Sequence, residues 1–129
     1  MARRHVDWMA QAQRDLSAAQ DSLEAGHYEW SAFQSQQAAE KALKALLRFH
    51  NYEATGHTLL HLLERVGDFV AVPPELRAVA QDLDHHYVQP RYPNSFPEGY
   101  PGEFYNAETA QRCIEHGKRI LGFVTAQLP

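Results

Sequence analysis

The chain has 129 residues, 44% of them hydrophobic and 22% charged, with a formal net charge of −4. One soluble domain with its own core accounts for such a length and composition. The acidic balance argues against bulk attraction to nucleic acid or anionic membrane, and a single cysteine, Cys113, excludes an internal disulfide framework and fits a reducing, cytoplasmic compartment.

No apolar run exceeds the four residues Phe69 to Val72, so no transmembrane helix or signal-peptide core is expected. The first helix is expected from about Arg3 to Ala25. Met9, Ala12, Leu16, Ala19 and Leu23 repeat at alternating intervals of three and four, a narrow apolar seam with Trp8 beside it. Gly26 suits the position just past a helix end, and only Gly26–His27 separates this helix from the next, so an antiparallel hairpin follows. The second helix, Tyr28 to Asn51, lacks Gly and Pro, and its second half is built from Ala, Leu, Glu and Lys. Its apolar stripe is Trp30, Phe33, Ala39, Leu43, Leu46, Leu47 and His50, and Glu40 with Lys44 forms a favourably oriented i, i+4 pair, worth about 0.2–0.5 kcal/mol if exposed. Its centre, Gln34 to Gln37 beside Ala38 and Ala39, admits a closely packed neighbour, and the amides would need partners if buried.

A third helix is expected from Thr58 to Val70, apolar on more than one face, and Pro73–Pro74 stops it. Pro74 and Glu75 suit the first turn of a fourth, with Leu76, Val79, Ala80, Leu83 and Tyr87 as its buried stripe. Pro90 and Pro93 break that helix and restrict the backbone on both sides of Arg91. Asn94 to Asn106 is a long irregular stretch with two prolines, two glycines and four aromatic residues. Asn106 then caps the last helix, Glu108 sits in its first turn, and Ala110, Ile114, Gly117, Leu121, Val124 and Leu128 form its seam. The expectation is an all-α, antiparallel up-and-down bundle of four to five helices in one domain, 1–129.

Few residues carry recognisable chemistry. His57 and His61 stand four apart but lack the glutamate of a metal-binding helix, and His85–His86 are adjacent and diverge, so no metal or cofactor is expected. On spacing alone, His57 reads as a cap or polar-interior residue, and Cys113 as an inert small hydrophobe. A guanidinium held between two prolines suits two-pronged contact with phosphate or carboxylate. The expected ligand-contact set is Arg91, Tyr87, Tyr92, Asp84, His57, Tyr105 and Glu108, with Asp84 or Glu108 holding Arg91 when the site is empty.

The run SAFQSQQAAEKALKALL, then GHTLLHLLE, then YVQPRYP and YNAETA, resembles the HEPN domain family, the nucleotide-binding domain shared by higher eukaryotes and prokaryotes. The resemblance covers nearly the whole chain. It implies a helical bundle, self-association as a dimer or higher even oligomer, and pairing with a minimal nucleotidyltransferase, often in a toxin–antitoxin module. Ribonuclease members carry an arginine followed four to six residues later by a histidine. Arg91 matches the arginine, but Tyr92 to Glu98 reads YPNSFPE and holds no histidine. The resemblance therefore implies a non-catalytic module binding a nucleotide, RNA or phosphate group, with a metal-independent ribonuclease using an irregular site as the alternative.

Overall fold

A computed structural model describes residues 4–129. The expected start at Arg3 lies outside the described residues. Six helical segments follow one another: α1 (Arg4–Glu24), α2 (Tyr28–Phe49), α3 (Leu59–Val66), α4 (Leu76–Asp84), the four-residue α5 (Pro101–Phe104) and α6 (Ala107–Gln127), with a 3-10 turn at Pro93–Ser95. Among the described residues there is no strand, and no helix is long and apolar enough to cross a membrane.

The α1 seam turns inward as its spacing requires, with Met9, Ala12 and Ala19 buried and Leu16 packed against the core. Helix α1 ends in a Schellman motif. The amide of His27 donates to the Ser22 carbonyl at 2.8 Å and that of Gly26 to Leu23 at 3.1 Å, with Gly26 at φ +82°. A Cβ at Gly26 would meet nothing within 4 Å, so Gly26→Ala charges the left-handed backbone alone. We expect it to cost about 1–2 kcal/mol in urea melts. No measurable loss would show that the turn relaxes out of this conformation.

Helix α2 departs from its expected single stripe. It packs against α1, α3, α4 and α6 and is buried on nearly every side, from Ser31 through Leu47. Trp30, assigned to the stripe, is instead 43% exposed, while Gln36, Glu40 and Lys44 lie inside. The expected Glu40–Lys44 pair forms, at 3.1 Å, and it is an interior ion pair. The small residues of the α2 centre do admit a neighbour: a Cβ on Gly117 of α6 would lie 3.0 Å from Leu16 and 3.5 Å from the Ser35 carbonyl. A larger residue at 117 would need the Leu16 side chain to shift by a few tenths of an ångström.

Two boundaries differ from expectation. Helix α3 stops at Val66, because Gly67, Asp68 and Phe69 fold into turns bonded to Leu63, Arg65 and Val66; Phe69 is exposed and stacks on His50 at 4.8 Å. Helix α4 begins at Leu76, after two tight bonds to the Pro73 and Pro74 carbonyls, and ends at Asp84, well before Pro90. Its buried stripe is Leu76, Val79, Ala80 and Leu83; past its end His86 is buried, while Tyr87 sits half-buried in the following turn. The stretch from Asn94 to Asn106 is less irregular than expected, since it contains α5 and is pinned by a Phe96–Phe104 stack at 4.6 Å. Asn106 caps α6 by accepting from the Thr109 amide at 2.8 Å.

Candidate functional site

The turn after α4 fixes Arg91 from both sides. Its Nε donates to the Tyr87 carbonyl at 2.7 Å, one turn back in the chain. Its guanidinium carbon lies 4.3 Å from the Phe33 ring centre, 4.7 Å from Tyr87 and 5.3 Å from Tyr92. Among the described residues no carboxylate comes within ion-pair distance of it, and neither terminal nitrogen makes a hydrogen bond. The arginine is held by aromatic faces and one carbonyl, with its two-pronged end unpaired.

Beneath it runs the polar interior of α2. The Glu40 carboxylate, 4% exposed, takes the Lys44 ammonium at 3.1 Å, Gln37 at 3.3 Å, and the His57 Nδ1 at 3.1 Å from both of its oxygens. Gln36 donates to the His57 carbonyl at 3.1 Å, which ties the segment before α3 to α2. The buried amides therefore do find partners. The His57 ring lies flat on Tyr87, centre to centre 4.5 Å with an 18° tilt, so Tyr87 is packed by both His57 and Arg91. His57 also lines an open hollow of about 190 Å³ with residues of the Tyr52–Thr58 segment, His61 and Arg65.

The structure thus joins four of the expected contacts, Arg91, Tyr87, Tyr92 and His57, and sets three apart. Asp84 does not hold Arg91. Its carboxylate accepts the Leu59 amide at 2.7 Å and the Leu60 amide at 3.1 Å, capping α3 in place of Thr58, whose side chain makes no cap bond. Burial pushes the Asp84 carboxyl above its ordinary value, and the two amides pull it only part of the way back. Tyr105 is buried, and its hydroxyl meets the His86 Nδ1 at 2.7 Å. Glu108 is an exposed first-turn residue of α6, outside ion-pair distance of Arg91.

Phe33 and Glu40 belong to the site, although spacing alone puts Phe33 in a packing stripe and Glu40 in a helix pair with Lys44. The signal for Glu40 is the run of amides around it, which is costly inside a bundle unless it serves a partner.

A second polar cluster joins α4 to α6. Asp82 accepts Arg112 Nε at 2.9 Å and lies 3.0 Å from His116 Nε2 and 4.0 Å from His86 Nε2. Burial would raise the Asp82 carboxyl, but Arg112, with the two histidines, outweighs it and holds the group below its usual value. His86 is 6% exposed, its Nε2 has no hydrogen-bond partner, and burial pulls the imidazole down to about 4. Cys113 is fully buried, its thiol pushed up to about 12 by burial. No group of three or more His, Cys, Asp or Glu among the described residues is placed to hold a metal ion.

Comparison with known proteins agrees with this architecture. Residues 5–127 match the HEPN domain family. The Methanocaldococcus jannaschii protein named "Putative toxin MJ1304" is 29% identical over 127 residues, covering 88% of this chain and 81% of its own. TT1696 of Thermus thermophilus superposes with a TM-score of 0.96 at 38% identity, covering 98% of this chain and 100% of that one. ST0689, described as an archaeal HEPN homologue, superposes at 0.82 with 40% identity over 98% of both chains. A HEPN domain protein of Thermotoga maritima superposes at 0.76 with 31% identity, covering 94% of this chain and 96% of its own.

Proposed function

Because this chain belongs to the HEPN domain family, we propose that it is a HEPN module that holds a phosphate group, most simply that of a nucleotide, on Arg91, within a toxin-related system. The observation that carries this reading is the caged guanidinium with no carboxylate partner. A structural arginine in a half-buried position normally finds an acid, because an uncompensated charge there costs stability. Here the aromatic rings hold the charge, and the fork has no protein partner among the described residues, which supports a ligand there. Pro90 and the extended backbone at Tyr92 restrict the segment, so little freedom is lost on binding. The toxin-related setting is supported by the name of the Methanocaldococcus relative.

Self-association and a minimal nucleotidyltransferase partner complete the proposal. The exposed aromatics Trp30, Tyr92, Tyr100 and Phe104 supply apolar surface for such contacts. Light scattering at micromolar concentration and mass spectrometry of co-purified proteins test these two elements directly.

The test of the site is titration calorimetry with adenosine monophosphate. Arg91→Lys should weaken binding about ten- to a hundredfold, since an ammonium lacks the planar two-pronged contact. The melting temperature should fall only slightly, because lysine keeps the charge over the rings and loses one hydrogen bond to the Tyr87 carbonyl and no ion pair. Unchanged affinity with a lower melting temperature would make Arg91 a structural residue and end this reading.

A further inference from the structure

We propose that the groove between α3 and the start of α4 is where two copies of this chain meet, related by a two-fold axis that sets Glu64 of each against Arg77 of the other. The inference rests on the self-association read above. It gives that association a surface that shares no residue with the Arg91 site or with the exposed aromatics Trp30, Tyr92, Tyr100 and Phe104.

The surface begins with what α3 has left over. Leu59, Leu62, Leu63 and Val66 are its buried stripe, and Leu60 falls outside that stripe and is only half-buried. Glu64 stands one helical turn beyond Leu60, so the two lie on one face of α3. With residues 72–74 and Arg77 they line an open groove of about 300 Å³.

Glu64 and Arg77 are both exposed, and among the described residues neither has an ion-pair partner or a side-chain hydrogen bond. Their neighbours are paired within the chain, Arg65 with Asp68 at 3.1 Å and Glu75 with Arg119 at 3.7 Å. Each of the two also stands at the unfavourable end of its helix. Glu64 lies in the last turn of α3, where unpaired carbonyls make the helix end negative, and Arg77 lies in the first turn of α4, where amides make it positive. A single chain would gain from exchanging them.

A second copy turned through half a revolution satisfies both charges at once, because its Arg77 meets Glu64 and its Glu64 meets Arg77. A partner of one sign would leave one of the two facing a like charge. The pair also makes the groove neutral in a chain of net charge −4, so two copies approach there against less repulsion than their net charge implies.

The experiment is light scattering on the full chain at micromolar concentration and low salt, for wild type, Glu64→Arg and Arg77→Glu. Each reversal sets like charges against one another across the contact and should halve the particle mass. Mixed in equal amounts, the two variants should recover the wild-type mass, since every contact between them then joins a base to an acid. Both reversals place the charge that the helix end favours, so folding should be kept, and thermal melts check it. Single variants that keep the wild-type mass, or that dissociate and fail to pair when mixed, overturn this contact and leave self-association standing. A monomeric wild type overturns self-association and this inference with it.

Discussion

Glu40→Leu should lower the stability of the protein by about 3–5 kcal/mol, the penalty for removing one partner of a buried ion pair. Lys44 is only 8% exposed, and its ammonium would lose its carboxylate while remaining among apolar residues of the bundle. His57 and Gln37 would lose the same acceptor. The hydrophobic replacement contributes burial of its own, but a methylene or two cannot offset an uncompensated interior charge. The control is the double substitution Glu40→Leu with Lys44→Met. It leaves no charge inside and should recover most of the loss, because well-packed apolar residues often replace a buried pair at little cost. Urea melts on wild type, single and double variants form the cycle. A double variant as unstable as the single one would show that the ion pair is not what holds this part of α2.

The second large effect is acid lability centred on His86. Its folded-state pKa is lowered from 6.5 to about 4, with burial the leading cause and Asp82 only partly restoring it against Arg112, His85 and His116. An unfolded chain takes up the imidazole proton near pH 6.5, while the folded protein resists it until about 4. Below the unfolded value the unfolded state therefore binds more protons, and stability falls as pH falls. The loss spreads over that interval and reaches about 3 kcal/mol at its lower end. Asp82, held below its usual range, adds to the loss at still lower pH, whereas Asp84, pushed upward, opposes it. Urea midpoints measured from about pH 7 down to 4 should decline steadily. His86→Gln keeps a hydrogen-bond partner for Tyr105 without a titrating ring and should flatten the curve. A flat wild-type profile would mean that the His86 site opens to water at little cost.

Periodicity carries the parts of the fold that depend on neighbours in sequence. The seams of α1 and α6, the Gly26 turn and the Asn106 cap are all decided within a few residues, and each is present. What the sequence conceals lies at longer range. Glu40 looks like a surface residue because Lys44 follows it by one turn; its burial depends on His57, which no helical spacing relates to it. Asp84 stands close to Arg91 in the chain, and proximity alone pairs them on paper. The fold instead sends its carboxylate back to the amides that open α3, where unpaired donors are always in need of an acceptor. Tyr87 continues the α4 stripe by spacing, and the early end of that helix turns it into a platform. The site's arginine is legible from its prolines and two of its rings, Tyr87 and Tyr92, from their nearness in the chain, but Phe33 is not, because it comes from α2, far away in sequence.

Helix α2, enclosed on nearly all sides, should act as the slow clock of the molecule in hydrogen exchange. Amides from Ala38 to Leu47 have no local fluctuation that reaches water, because fraying at either end stops short of them and sliding one neighbour away still leaves others in place. They open only when the whole chain opens, so their exchange measures global stability, while the amides around α5 report small local excursions. The same helix carries Phe33 and Glu40, and a ligand docked above them would therefore slow exchange throughout α2, including at residues it never touches.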